Sequence, residues 1–346
     1  MHPFWRHFPF VHTRNAIAVI IAFGAWQPCH AQSPGEINHL RERAEAGYVN
    51  EQMKLAHALQ FGIGMPRSDS EAAHWILRAA NQGNLTAQTD MGLAYFTGAG
   101  VEKNPQEAFR WFQRAALENY PPAQNDLALL LVKGIGTTQD LAAGVRWMRK
   151  AAESNLAAAQ LHLGIFYLLG LGLNRDSHEA LSWIHKATRK RYPPAEYLMG
   201  ELYEQGDNVS ADLGQAAHWY RLASAHGSAI AQNNLGALYE RGKGVAQDKS
   251  AALHCYELAA AGGSPEALAN LTRIYALEGI ADRTYFWASL GQQKSSKAEV
   301  LADIARQAKH QLSDSEATRV DMEVREWMQN HPNFPEKRVD LPFDLP

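Results

Sequence analysis

The chain has 346 residues, 46% of them hydrophobic, with 33 Lys and Arg against 36 Asp and Glu. A formal charge of −3 excludes a general nucleic-acid binder, which needs a strong basic excess, and the apolar content excludes a wholly disordered chain. The length suits one large domain, two ordinary ones, or a repeat array in which each unit packs only on its neighbours.

Residues 1–31 read as a secretory signal. Arg6 and Arg14 lie in a segment without acids, and the apolar run Ala16–Trp26 is too short to span a bilayer. Cys29-His30-Ala31 offers small residues at −3 and −1, which places cleavage before Gln32. A lipoprotein anchored at Cys29 is the rival reading, with Trp26-Gln27-Pro28 a poor lipobox. Cleavage removes two arginines and no acid, so the net charge moves from −3 to −5, and it leaves Cys255 as the remaining cysteine. No intramolecular disulfide is then possible, and a lone thiol in an oxidising compartment is best buried. No later run is apolar enough to anchor the chain. The expected location is the periplasm of a Gram-negative cell, or secretion from it.

Beyond the signal the chain repeats itself. Gly62, Gly98, Gly134, Gly170, Gly206 and Gly242 stand 36 residues apart, as do Trp75, Trp111, Trp147, Trp183 and Trp219, with Cys255 next in that series. Ala87, Ala123, Ala159, Ala195, Ala231 and Ala267 do the same. Such a period marks a repeat architecture. Each unit reads as two helices. In the second unit Ala87, Met91, Ala94 and Tyr95 share one face of the first helix. Gly98 and Gly100 end it where positive φ is useful, and Asn104-Pro105 caps and opens the second. Ala108, Trp111, Phe112, Ala115 and Ala116 form the buried face of that second helix, which Asn119 ends. Gly83, Gly227 and Gly262-Gly263 do that work in other units.

The pattern A-x3-L-G-x2-Y-x2-G-x-G-V, followed by A-x2-W and A-A, resembles the Sel1-like repeat family, relatives of the tetratricopeptide repeats. The resemblance covers about 48–290 and implies an all-α fold: a right-handed α-solenoid of 36-residue helix-turn-helix repeats. The expected organisation is a signal peptide over 1–31, a capping helix over 32–47, six repeats over 48–263, a degenerate seventh over 264–290, a helical cap over 291–331 and an extended Pro-rich tail over 332–346. Departures from the motif are Asn208 for the second glycine of unit five, Ala128 and Leu131 for the Gly and Tyr of unit three, Cys255 for Trp, and Trp287 four residues early in unit seven. In the cap, Ser313-Asp314-Ser315-Glu316 signals a helix start, and Val320, Val324 and Trp327 would close the open end of the stack.

The residues offer little for catalysis. The Gly-x-Gly pairs follow helices, not strands, so a dinucleotide site fails on context, and no G-x-S-x-G elbow or metal-spaced cysteine pair occurs. His74, His218 and His254 share a repeat position with Arg110, Arg146 and Ser182, which fits a solvated helix edge better than metal ligands; His57 and His162 lie at unrelated positions. The expectation is a non-enzyme without cofactor or metal. One branch of the family, cysteine-rich secreted proteins described as binding or hydrolysing penicillins, is the runner-up class, but its cysteine pairs are missing here.

Binding remains. The resemblance implies that first helices line a concave face where specificity sits at positions that differ between units. Leu93, Phe96, Leu129, Val132, Ile165, Leu168 and Leu169 there suggest an apolar groove for a peptide or amphipathic helix, or else packing between helices. Glu201, Glu204, Gln205, Glu240 and Arg241 take over in later units. On the second helices Arg78, Arg114, Lys150 and Lys186, with Arg110 and Arg146, form a basic column, either a solvated face or a ridge for an acidic partner or an anionic polysaccharide. Tyr120 and Tyr192, beside proline pairs, are candidates for stacking a glycan. The expected partner is another envelope or secreted protein, or a peptide segment of it, bound by a monomer, without nucleic acid or a transmembrane segment.

Overall fold

A computed structural model describes residues 34–206, 208–292 and 298–331. The expected signal peptide over 1–31, with Cys29, and the expected tail over 332–346 lie outside the described residues. Regular structure among those residues is entirely helical, in seventeen helices. Contacts divide the chain into two compact units with the boundary after Lys186; the described residues of these are 34–186 and 187–331.

The first unit contains α1 (Pro34–Glu45), α2 (Val49–Phe61), α3 (Asp69–Asn81), α4 (Leu85–Thr97), α5 (Pro105–Leu117), α6 (Pro121–Lys133), α7 (Leu141–Glu153), α8 (Ala157–Leu169) and most of α9 (Ser177–Thr188). The second contains α10 (Pro193–Gln205), α11 (Leu213–Ala225), α12 (Ala229–Arg241), α13 (Lys249–Ala261), α14 (Pro265–Leu277), α15 (Ala281–Gly291), α16 (Ala298–Lys309) and α17 (Asp314–Asn330). Within each unit successive helices pair as hairpins, the α-solenoid arrangement.

Local chemistry sets these boundaries. Second helices begin at a column of short polar residues whose side-chain oxygens accept from the third backbone N–H inside the helix, satisfying a donor that has no helical partner. Ser68, Asn104, Asp140, Asp176, Asp212 and Asp248 do this at 2.8–3.3 Å. The first helices α2, α4, α6, α8, α10 and α12 each end on a glycine in the left-handed region.

The turn after each second helix also needs a left-handed residue, and there the chain is permissive. Gly83, Asn119, Asn155, Arg191, Gly227 and Gly263 all have φ between 54° and 90°. A Cβ built at Gly83, Gly227 or Gly263 meets nothing within 4 Å, so only the intrinsic cost opposes a side chain here. Arg191, at φ 54°, carries that cost with no asparagine-like compensation. Replacing the exposed Arg191 by glycine is expected to stabilise the second unit by about 0.5–1 kcal/mol, after the extra unfolded-state freedom of glycine is subtracted. A raised urea midpoint at unchanged slope checks this.

Alanine sets the spacing of the stack. Ala87, Ala123, Ala159, Ala195, Ala231 and Ala267 are all fully buried, and any larger side chain would push helices apart. The core of the first unit runs from Ala44 and Leu55 through Phe112, Leu127 and Met148 to Phe166 and Trp183. That of the second runs from Tyr220 and Leu235 through Tyr256 and Leu271 to Phe286, Trp287 and Val320. Trp75 and Trp183 are buried, and Trp111 and Trp147 pack half-buried against these cores. Cys255 fills the tryptophan slot of repeat six, buried, with its thiol pushed up to about 11 by that burial, which makes it inert.

The last helices form the cap. Ser313 and Glu316 make the reciprocal capping box that starts α17, and Val320 and Val324 are buried. Tyr285 donates to Asp321 at 2.5 Å, and Lys309 donates to both at 2.9 and 3.0 Å, tying α15, α16 and α17 together.

Candidate functional site

The seven apolar first-helix residues do not form an open groove. Phe96, Leu129, Val132, Ile165 and Leu168 are 5% exposed or less, and Leu93 and Leu169 are half-buried. Phe96, Leu129 and Val132 belong to the continuous core of the first unit. Val132 reaches a neighbouring second helix, where a Cβ built at Gly144 would lie 2.6 Å from its methyl. The stripe is therefore packing between helices; periodicity cannot distinguish that from a groove, because both demand apolar residues on the same face.

The first helices also carry polar groups, several of them buried. In the first unit Asp90 is half-buried, and burial, with the Asp126 charge added, pushes its carboxyl up to about 7. Asn125 donates to Asp126 at 2.9 Å, and its amide oxygen meets Nδ1 of the buried His162 at 2.7 Å. In the second unit Tyr197 donates to Glu201 and Tyr220 to Glu204, each at 2.6 Å, with the two rings stacked at 5.8 Å. Burial pushes Glu201 up to about 7, against the Tyr197 hydrogen bond that lowers it and with the Glu204 charge that raises it further. Glu204 and Gln205 are exposed. Glu240 takes a bond from Tyr256 at 2.8 Å but is neutralised by Arg273 at 2.7 and 2.8 Å. Of these carboxylates Glu204 is exposed, Asp90 is half-buried, Glu201 has one oxygen on Tyr197 and the other buried, and Asp126 accepts from Asn125.

The basic column has an unexpected construction. Arg78 lies over the Trp75 ring, Arg114 over Trp111, Lys150 over Trp147 and Lys186 over Trp183, at 3.5–5.5 Å from the ring centroids. Cation and tryptophan are three residues apart, so the helix itself brings them together. Arg78 also donates to the Glu45 carbonyl and is half-buried, whereas Arg114, Lys150 and Lys186 are exposed. Of the flanking pair, Arg110 bonds Glu107 at 2.6 Å and Arg146 is exposed. In the second unit the same position holds Leu222 and Leu258.

Six consecutive segments, 52–84, 85–120, 121–156, 157–192, 193–228 and 229–264, match the Sel1 repeat. The chain belongs to the Sel1-repeat family. Among solved structures it is similar to a Sel1 repeat protein from Oxalobacter formigenes, at 29% identity and TM-score 0.60 over 78% of this chain and 80% of that one. It also resembles a protective antigen present in uropathogenic Escherichia coli strains displaying an SLR fold (24%, TM-score 0.45, 86% and 72%). An immunity protein from Pseudomonas aeruginosa is similar at 21%, TM-score 0.47, over 62% and 81%. A search of curated proteins returns no match. The Sel1-repeat fold is a scaffold for protein–protein interaction, and no helix among the described residues is long and apolar enough to cross a membrane.

A second structural column of the Sel1 repeats escaped the sequence reading. Gln52, Gln88, Gln124, Gln160 and Gln232 stand at the 36-residue period and are buried. Each amide donates at 3.0–3.4 Å to a carbonyl eight residues earlier, at the end of the preceding second helix. Each of these carbonyls also accepts the turn N–H of Gly47, Gly83, Asn119, Asn155 or Gly227, so the amide adds a second bond that ties the first helix to the end of the preceding one, and the buried amide nitrogen finds the partner it needs. Repeat five has Glu196 here; a carboxylate cannot donate, and it bonds His226 at 2.7 Å instead. The recurring dipeptide Ala-Gln was the available signal.

The other candidates are placed as follows. His74, His218 and His254 are exposed, and no group of three His, Cys, Asp or Glu among the described residues is arranged to hold a metal ion. His57 packs on Phe61 at 4.6 Å, and burial lowers its pKa. Tyr120 and Tyr192 are not open stacking platforms. Tyr120 is half-buried against the core with its hydroxyl 3.1 Å from Thr86, and burial pushes Tyr192 up to about 12. Both precede a proline at a helix start, where an aromatic ring fastens the entering chain.

Proposed function

We propose that this Sel1-repeat protein is an exported envelope scaffold, periplasmic or secreted, that binds a basic segment of another envelope protein on its first-helix face. The observation that carries this reading is the pair Glu201 and Glu204, held in place by Tyr197 and Tyr220 at positions where the repeats differ. Side chains already ordered lose little freedom on binding. A lysine or arginine laid on this face would meet the exposed Glu204, fixed by Tyr220, with the charge of the more buried Glu201 nearby. The role is recognition, without catalysis.

Affinity capture from an envelope extract with the mature protein tests it. The partner is expected to be lost when Glu201 and Glu204 are both changed to glutamine, which keeps the tyrosine hydrogen bonds and removes the charge. Retained capture at equal yield would refute the assignment. Because Glu201 is raised to about 7, binding should strengthen as pH rises through neutrality. The effect of Asp90 and Glu201 on folding has the opposite sign. Acids raised in the folded state bind protons more tightly there, so stability falls as pH climbs from the ordinary carboxylate range through about 7.

A second reading rests on Arg114, Lys150 and Lys186, exposed cations fixed on tryptophan rings at one per repeat. This row suits an anionic envelope polysaccharide. Binding to a polyuronate that collapses at high salt, and is lost when the three become glutamine, would favour it.

A further inference from the structure

A cavity of about 370 Å³ lies in the second unit, between α13, α15 and α17. Its walls include Glu257 and Leu258 from α13, Arg283 and Trp287 from α15, and Trp327 and His331 from α17. Two departures from the repeat coincide with it. The tryptophan-and-cation pair that covers the second helix in repeats one to four is replaced in repeat six by Cys255 and Leu258. The connection from α14 to α15 has shrunk to three residues, Glu278–Ile280, so that Trp287 arrives early. Bulk is removed from one wall and an aromatic ring is moved into the other.

The lining has a definite chemical character. Trp287 and Trp327 meet edge to face, with centroids 6.2 Å apart and planes at 79°; Trp287 is buried and braces Trp327, which is half-buried. His331 stacks on Trp327 at 4.1 Å and 22°. Its Nδ1 lies 2.7 Å from the Trp327 carbonyl oxygen, which can only accept. The proton therefore sits on Nδ1, and Nε2 of the neutral ring is a hydrogen-bond acceptor. Arg283 is held 3.3 Å from Glu323 and over the Phe286 ring, which fixes its guanidinium. Glu257 is exposed beside it, and Leu258 is 41% exposed. Pockets for small ligands combine such apolar walls with a few oriented polar groups, at roughly 300–1,000 Å³.

Charge narrows the ligand. An anion would meet Glu257 and a cation would meet Arg283, so neither sign is favoured. A hydrocarbon chain would desolvate Glu257 and Nε2 of His331 without giving either a hydrogen bond, a cost that apolar contact does not offset. What fits is a neutral ring with apolar C–H faces and hydroxyls around its edge. The C–H face lies against Leu258 and the accessible part of Trp327, and the hydroxyls donate to Glu257 and His331 Nε2 and accept from Arg283. We infer that the groove between α13, α15 and α17 is a binding site for a neutral sugar unit of a glycan. It stands apart from the carboxylate face of α10.

Saturation-transfer NMR and tryptophan fluorescence titrations of the mature protein test this, with glucose, N-acetylglucosamine and their β-1,4-linked disaccharides as probes. At least one neutral sugar is expected to saturate in the millimolar range and to quench or shift the indole emission. Glucuronate and glucosamine should bind about tenfold more weakly than the corresponding neutral ring. Leu258→Arg restores the cation of the earlier repeats at an exposed position, and should abolish binding while circular dichroism and Tm stay unchanged. Trp327→Phe should weaken it about tenfold or more. The inference is overturned if no neutral sugar saturates, if the charged sugars bind as well, or if Leu258→Arg binds like the parent.

Discussion

Gly136→Ala is expected to cost the first unit about 3 kcal/mol or more, a large effect for a single methyl group. Two penalties coincide. The residue sits at φ 71°, where a Cβ is intrinsically unfavourable. That Cβ would also lie 2.0 Å from the Pro105 carbonyl oxygen at the start of α5. The obstacle is backbone, which cannot swing aside as a side-chain end can, so the turn and the preceding second helix must separate. Gly83→Ala provides the control. Its φ is 89°, but a Cβ there meets nothing within 4 Å, so only about 1 kcal/mol should be lost. Urea unfolding of the two variants measures the difference, and hydrogen exchange should place the loosening at the start of α5 and the turn after α6. Equal losses would mean that conformation, not crowding, dominates. The contrast also explains where the repeats diverge: the uncrowded turn holds Asn119, Asn155 and Arg191, while Gly100, Gly136 and Gly244 all face a backbone carbonyl.

Gly92→Ala should cost about 2 kcal/mol, and Phe112→Met in the same chain should recover most of it. A Cβ at Gly92 would lie 2.7 Å from the Phe112 ring. The same relation joins Gly164 to Ile184, Gly200 to Tyr220 and Gly236 to Tyr256, always twenty residues on. Repeat three breaks the rule on both sides at once. It has Ala128 for the glycine and Met148 for the bulky partner, both fully buried. Methionine is unbranched and adapts to irregular space, so the pair is a volume exchange that the chain already uses. A double-mutant cycle is expected to show strong favourable coupling between Gly92→Ala and Phe112→Met. Simple additivity of the two losses would show that the backbone, not the ring, refuses the methyl group.

Ala128 illustrates how much of this molecule is legible without coordinates. As a sequence it looks like a decayed motif position; only its neighbour twenty residues away makes it a compensated one. The repeat period, the helix pairs, the turns and the cap were readable, because each rests on local rules: glycine at positive φ, short polar residues at helix starts, apolar residues at helical spacing. The candidate site was less so. Leu129 and Ile165 could be groove or packing by their spacing. Lys150 and Lys186 could be counted as cations, but that they rest on Trp147 and Trp183 needed side-chain positions. The column Gln52–Gln232 keeps the 36-residue period, but a recurring glutamine does not by itself tell a buried position from a solvated one; its burial is a property of the packed helices.

The sequence by itself determined that this is a Sel1-repeat solenoid, since an unbroken period forces each unit to bury its apolar face on the next. It also determined which positions are free to differ. Only the tertiary structure decided what those positions do. It buried the apolar stripe, held Glu201 and Glu204 against tyrosines, and set Trp287 against Trp327 beside an open pocket that no stretch of the chain announces. The physical reason is range. Turns and caps are settled by residues a few positions apart, whereas exposure and shape depend on which distant side chains fill the same space.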